Sequence, residues 1–520
     1  MLDVNPREAI RMSTDLRASA RVEDYRLADF KLLLPLGPEI RTLVLGAREP
    51  AFLPHLAGEL GMIDLVVEPP HDRLQETTLA AMAALAAPER VRRIEAPEGT
   101  YDLVFSDEIA AGRHLRPGGV LCRFLGRKAD AMPVGLTPVG RWRAYPDWPA
   151  FRVLIPDNPA GWRAAARDLR LFPSRSATGL RARLSPGAVA RLLPEHGIAL
   201  YRRDGGEPHP TLLAALRGTL ASIGDDAIRS TPPERWLLAS GRLGPGNPIL
   251  AFSLDEDGRP KRLIKAARFP GGQHLHAEAE QLDRIERALG PTEAARVIRP
   301  TDSAVVAGRW ALAYTYEPTH PFFGIRWRLR GRTRFCLAMA DWLAAVGLTT
   351  RQRPERATIE TRHVAPLQRL VARGILPRSV QHRAEAALDD LQRLAPSLPI
   401  VLEHGDLGIY NIRLTRADGS DFRVLDWGSS TFEGIPLGDL AYLLCSARAP
   451  KALARRCLGN YLVGMRIPTG EAPALWFSYL ARRWEELDGI RPPVPGDPTS
   501  GGGLLLPIEG RVASYLDGLT

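Results

Sequence analysis

The segment Val401 to Leu444, VLEHGDLGIYNIRLTRADGSDFRVLDWGSSTFEGIPLGDLAYLL, gathers the residues best suited to chemistry. It carries His404-Gly405-Asp406, then Asn411 five residues after that aspartate, then Asp426-Trp427-Gly428. Apolar runs at 400–402 and 422–425 enter the two acidic motifs, so each is expected to end a short strand in a polar loop. Transfer of a phosphoryl group asks little covalent work of a protein; phosphate charge must be neutralised and the acceptor hydroxyl aligned. Asp406 is suited to accept the hydroxyl proton. Asn411 and Asp426 offer the oxygen ligands that Mg²⁺ prefers. The competing assignment is that these residues only cap backbone groups in strand-end turns. The spacing H-G-D-x4-N, followed after 14 residues by D-W-G, favours the chemical one.

The elements that must position these groups lie in a chain of 520 residues, long enough for two to four domains. Its 45% hydrophobic and 25% charged content is that of a globular protein and excludes a disordered chain. No apolar run reaches the roughly 18 residues of a membrane span. The N-terminus has no apolar signal core, and Cys122, Cys336, Cys445 and Cys457 form no CxxC pair, so a cytoplasmic location is expected. The net charge of +10 comes from arginine, since there are only five lysines. One cluster, Arg326, Arg328, Arg330, Arg332 and Arg334, is read as an exposed connection before a helix at 334–346. No nucleic-acid module is recognisable, so no nucleic-acid partner is expected.

The stretch 401–444 resembles the catalytic segment of the aminoglycoside phosphotransferase and choline kinase family, relatives of protein kinases. That resemblance implies Asp406 as catalytic base, Asn411 and Asp426 as Mg²⁺ ligands, and Asp439 as a brace for the catalytic loop backbone. Upstream, strands at 236–239, 249–254 and 262–265 follow the order of a kinase small lobe. The turn between the first two holds Gly244 and Gly246, whose backbone could cover ATP phosphates. Lys265 lies in an apolar strand, where an unpaired ammonium is costly. The resemblance makes it the phosphate-contacting lysine, with Glu278 on the helix 274–289 as partner and Glu280 as runner-up. A strand at 310–316 leads to Glu317-Pro318, the position of a kinase hinge. Helices are expected at 335–346, 362–372, 380–394, 440–447, 452–465 and 474–488. Glu485, Glu486 and Asp488 are read as a solvated face, with recognition of a cationic acceptor as the alternative.

The N-terminal part alternates strands (42–46, 63–67, 101–105) with helical stretches such as 52–60, which indicates a doubly wound parallel sheet. It resembles a class I methyltransferase that uses S-adenosylmethionine, with Tyr101-Asp102-Leu103-Val104 and Leu115-Arg116-Pro117-Gly118-Gly119 as typical pieces. Glu68, 22 residues after Gly46, matches the acidic residue that binds the cofactor ribose. The first loop departs from the pattern: Gly46 is followed by Ala47-Arg48-Glu49-Pro50, with no further glycine.

The expected fold class is therefore an α/β Rossmann-like methyltransferase fold followed by an α+β bilobal kinase-like domain. The expected boundaries are 1–205, a linker at 206–233, and 234–520 with lobes meeting near 318. The expected function is an ATP- and Mg²⁺-dependent phosphotransferase acting on a hydroxyl of a small molecule. The alternatives are a scaffold joining a pseudokinase to a vestigial methyltransferase, and a bifunctional methyltransferase–kinase in which Glu68 holds S-adenosylmethionine. Neither the acceptor nor the oligomeric state follows from the sequence.

Overall fold

The computed structural model describes residues 25–45, 50–66, 88–125, 135–145, 152–165, 195–221, 230–240, 246–317, 320, 322, 327–490, 501–517 and 519. They fall into two compact units. The first runs to His276 and includes Pro300–Pro318; the second comprises Ala277–Arg299 and Thr319–Thr520.

In the first unit the strands are β1 (Thr42–Leu45), β2 (Ile63–Val66), β3 (Val91–Ile94), β4 (Tyr101–Ser106), β5 (Leu115–Leu125), β6 (Leu136–Tyr145), β7 (Val153–Pro156), β8 (Gly197–Arg203), β9 (Trp236–Ser240), β10 (Ile249–Leu254), β11 (Pro260–Ala266), β12 (Asp302–Val306) and β13 (Arg309–Thr315). Its helices include α1 (Leu212–Ala221) and the start of α2 (Gln273–Ala288). Among the described residues these strands form one 13-stranded sheet, in the order β12-β13-β11-β10-β9-β7-β6-β8-β5-β4-β1-β2-β3. The run β3-β2-β1-β4-β5 is parallel, and β8 joins β5 antiparallel. This is the doubly wound, methyltransferase-like half. The short strands β1, β2 and β4 are almost wholly buried, as parallel strands covered on both faces must be. β3 is VRRI with both arginines exposed; as an edge strand it needs no apolar run, so its sequence gives no strand signal. The helical stretch expected at 52–60 is instead two 3₁₀ turns, Pro50–His55 and Ala57–Glu59. Pro54 lacks the N–H that a regular helix would use there.

The sheet does not stop at the end of that half. Val153 and Leu154 of β7 pair antiparallel with Ala239 and Leu238 of β9, and β9 continues through β10 and β11 to β13 and β12. The Ser240 N–H donates to the Arg152 carbonyl at 2.8 Å, and the Trp142 indole N–H to the Trp236 carbonyl at 2.9 Å. The main apolar cluster of the unit runs from Phe30 and Leu103 to Leu238, Ile264 and Ala313, with smaller clusters around Ile155 and Leu43. Leu212, Leu213, Leu216 and Leu220 of α1 are buried in it.

A buried charge network ties the N-terminal segment to the strands that follow β9. Arg268, three residues after Lys265, donates to both carboxylate oxygens of Asp29 at 2.7 and 2.8 Å. Both side chains are fully buried. Lys31 pairs with Glu59 at 2.7 Å, and Arg309 also pairs with Glu59. Burial raises the Asp29 carboxyl above its usual range and lowers the Lys31 ammonium well below its own.

In the second unit the strands are β14 (Val401–Glu403), β15 (Ile412–Leu414), β16 (Phe422–Val424) and β17 (Thr431–Gly434). The main helices after α2 are α3 (Arg332–Thr350), α4 (Ala365–Ala372), α5 (Arg378–Leu394), α6 (Gly438–Ser446), α7 (Lys451–Met465), α8 (Ala472–Ile490) and α9 (Leu506–Leu516). β14 pairs with β17, and β15 with β16. The core is aromatic near the motifs: Trp342 of α3 packs edge-on to Phe422 and Trp427, with ring centres 5.8 and 6.4 Å away. Within the arginine cluster, Arg326 and the Arg328 side chain lie outside the described residues. A π-helical turn, Trp327–Gly331, runs directly into α3, so this is helix rather than a connection. Arg332 donates to the Arg448 carbonyl, and Arg334 pairs with Asp418. No described helix is long and apolar enough to cross a membrane. All four cysteines are buried free thiols.

Candidate active site

Strand β14 delivers the H-G-D motif at its C-terminal end, and β16 delivers D-W-G. Gly405 has φ +80°, and a Cβ there would come 2.5 Å from the Ser429 carbonyl oxygen, so only glycine lets the two loops approach. His404 is fully buried between them. Its Nε2 donates to the Leu425 carbonyl at 2.8 Å, and its Nδ1 accepts from the Asp406 N–H at 3.3 Å. Burial lowers its pKa, so the imidazole is neutral with its proton on Nε2. It locks the loop rather than taking a proton from a substrate.

Asp439, at the start of α6, accepts the N–H groups of His404 at 2.5 Å and Gly405 at 3.1 Å. It braces the loop backbone. Burial and the nearby Glu403 carboxylate push the Asp439 carboxyl up to about 8. Glu403 is held in turn by Arg482 of α8 at 2.5 Å. His363 is buried against β17, its Nε2 donating to the Glu433 carbonyl at 2.8 Å and its Nδ1 accepting from Ser478 at 3.2 Å. Burial lowers its pKa to about 3.

The Asn411 side-chain amide donates to the Asp406 carbonyl at 2.9 Å, which leaves its own Oδ1 as an acceptor. The Leu425 N–H donates to the Asn411 carbonyl at 2.9 Å, joining the two motifs one residue before Asp426. Asp426 itself has φ 60° and ψ 62°, a left-handed conformation that non-glycine residues seldom adopt. Trp427, 2% exposed and 4.7 Å from the His404 ring, anchors this turn in the core. Strain of this kind is typical of functional sites.

The Asp406 carboxylate is 20% exposed. Its Oδ1 accepts the Tyr410 hydroxyl at 2.7 Å and Arg483 Nη2, from α8, at 3.1 Å. The Tyr410 oxygen is also 3.0 Å from the Tyr442 hydroxyl, and burial pushes the Tyr410 phenol strongly up, so it stays a proton donor. Among the described residues no group donates to Oδ2. One oxygen is fixed from two directions and the other is left open.

Glu278 is 5% exposed, and its Oε2 lies 3.9 Å from where a Cβ of Gly428 would be; Glu280 is exposed. Lys265, on β11, is half-buried between its cross-strand partners Leu250 and Leu312. Gly246 is described and open, with nothing within 4 Å of an added Cβ. Gly244, Gly46 and Glu68 lie outside the described residues. The acidic face of α8 is paired: Glu485 with Arg369, Asp488 with Arg373 and Glu486 with Arg483. Arg483 comes from a helix well beyond the motif, where nothing in the sequence marks it, and Tyr442 from α6 at the end of the segment 401–444. Tyr410 does carry a signal, an aromatic hydroxyl four residues after Asp406.

Residues 252–477 match the model of the phosphotransferase enzyme family, APH. No curated protein sequence matches the chain. Among solved structures, the chain is similar to the aminoglycoside phosphotransferase APH(3'')-Id from Streptomyces rimosus, solved with ADP and streptomycin. Identity is 20% over 50% of this chain and 95% of that one, with a TM-score of 0.31. An aminoglycoside-3'-phosphotransferase of type VIII is similar at 19% identity over 50% and 98%, TM-score 0.32. A protein described as a sarcosine dimethylglycine methyltransferase, from Galdieria sulphuraria, is similar at 15% identity over 36% and 87%, TM-score 0.22. The match to the phosphotransferase enzyme family thus covers the segment 252–477, and the strands that precede it include a doubly wound parallel run.

Proposed function

We propose that the chain transfers the γ-phosphate of ATP to a hydroxyl group of a small molecule. The observation that carries this reading is the Asp406 carboxylate, with Oδ1 held by Tyr410 and Arg483 and Oδ2 open to an acceptor. In the proposed step the acceptor hydroxyl donates to Oδ2 as its oxygen bonds to the γ-phosphorus. The bond from that phosphorus to the bridging oxygen breaks, ADP leaves, and Asp406 later returns the proton to water. Such alignment and charge neutralisation supply most of the catalysis in phosphoryl transfer.

The donor set fits a hard divalent cation: Asn411 has a free amide oxygen and Asp426 is a carboxylate on a fixed backbone. These two residues would hold Mg²⁺, which neutralises phosphate charge when bound. Lys265 is assigned to the phosphates, and Glu278 is assigned as a cofactor-binding residue. Gly244 and Gly246 are assigned to the turn that covers the phosphates. In this reading 1–205 and 234–520 are the functional domains and 206–233 their connection.

Calorimetric titration of the protein with ATP, with and without Mg²⁺, tests the assignment beside Asp426→Ala and Asp406→Ala. Mg²⁺-dependent binding that weakens in Asp426→Ala and persists in Asp406→Ala is expected. Asp406→Ala should also abolish ADP formation with hydroxylated acceptors. Normal turnover in that variant would sink the role of Asp406, and absence of nucleotide binding in the wild type would sink the function.

A further inference from the structure

Apart from the strand-end loops, the second unit carries a cleft of about 750 Å³. Its walls are α2, the segment 430–433 and the helical turn around Arg362. Three guanidiniums face it, from Arg284, Arg287 and Arg362, against a single carboxylate, Glu433. Arg362 takes that carboxylate at 2.5 Å. Arg284 has only the Gln281 side-chain oxygen at 3.3 Å and the face of Phe432 at 5.0 Å. Arg287 donates to the Asp283 carbonyl at 3.2 Å. Among the described residues neither Arg284 nor Arg287 has an acidic partner, although other arginines of this unit, such as Arg369, Arg373 and Arg383, do.

The excess of positive charge continues beyond the cleft. Gln352 also lines an adjoining hollow of about 440 Å³, where Arg351 and Arg353 stand with no acidic residue. The two hollows together present five arginines against one glutamate. The floor, by contrast, is apolar, with Ile400 6% exposed beside Phe432 and Ala288. Arginine guanidiniums pair bidentately with two oxygens of one anion, and a multiply charged phosphate or pyrophosphate suits several of them at once.

We propose that this cleft binds a small phosphate-bearing ligand, with Arg284 and Arg287 as its principal contacts. The site has a route to the candidate active site. Gln281, one turn from Arg284, donates to the Ser430 carbonyl and hydroxyl at 3.3 and 3.2 Å. Ser430 is four residues from Asp426, and Glu278 is three residues from Gln281. A bound phosphate would join α2 to 430–433 and stiffen the segment that follows Asp426.

The test is calorimetric titration of the full chain with inorganic pyrophosphate in the absence of Mg²⁺, with citrate as a non-phosphate anion. Binding should weaken at least tenfold in Arg284→Ala/Arg287→Ala, recover partly in the double lysine variant, and weaken as salt rises. Arg356→Ala, an exposed arginine elsewhere on the unit, should bind like the wild type. Hydrogen exchange at 430–433 should slow on titration. No pyrophosphate binding, or binding lost in Lys265→Ala and kept in the double alanine variant, would overturn the proposal. Citrate binding as tight as pyrophosphate would overturn its preference for phosphate. An unchanged thermal midpoint in the double alanine variant separates lost binding from lost folding.

Discussion

Both units bury charge, and they do so to opposite ends. In the first, buried charges close on each other: Asp29 on Arg268, and Lys31 and Arg309 on Glu59. The network joins segments of that unit, with the Ser240 hydroxyl also donating to Asp29. In the second, buried polar groups are layered around a loop, Glu403 on Arg482, Asp439 on two backbone N–H groups, and His404 between two motifs. That network ends at a carboxylate with one oxygen unclaimed. A closed network serves architecture, and an open one has capacity left for a reaction. Burial of charge alone therefore does not mark a site; the unsatisfied end does.

The largest test of this contrast is Asp29→Ala, which removes the carboxylate that the buried Arg268 guanidinium holds with two hydrogen bonds. It should cost about 3–5 kcal/mol, read as a fall in the denaturation midpoint. Replacing both residues with apolar ones of similar size should cost less than Asp29→Ala alone, because both buried charges go together. Retention of the full loss in that double variant would break the comparison.

Next in size is a pH effect at His363, between β17 and α8. The folded pKa of His363 is depressed to about 3, against about 6.5 in an unfolded chain. The unfolded state therefore binds the extra proton first, so this stability is fully present above about pH 6.5 and is lost as pH falls towards 3. The loss is on the order of 4 kcal/mol across that window. His363→Gln should flatten the acid side of the stability curve, measured by urea unfolding between pH 7 and 4.

Smaller again is Tyr410→Phe, which removes one donor from Asp406 Oδ1. A penalty of about 1 kcal/mol in the transition state is expected, so turnover should fall several-fold while ATP affinity is kept. If turnover were unchanged, the open-ended network would not be what orients Asp406. The smallest effect belongs to the exposed Arg369–Glu485 pair. Glu485→Gln should move stability by no more than about 0.5 kcal/mol.

The strands carrying the two motifs were legible because short apolar runs end in loops with fixed spacing. The brace by Asp439 followed from the family resemblance, and the buried position of Glu278 relative to Glu280 agrees with the apolar face of its helix. Arg483 and Arg482 escaped because their partners are set by tertiary packing, with Arg483 lying 77 residues from Asp406. β3 and β6 escaped for another reason. An edge strand and a strand with few inward residues carry no strong period. The pairing of β7 with β9 left no trace at all, since backbone hydrogen bonds across a sheet are indifferent to side-chain identity.

That last pairing bears on modularity. A fragment beginning near residue 234 would keep the phosphotransferase motifs but lose the strand on which β9 leans. It would present a row of unpaired backbone groups and the bared faces of Trp236 and Leu238, the kind of edge that seeds aggregation. The two halves are thus not interchangeable cassettes: inheritance of one without the other would require a new partner for that edge.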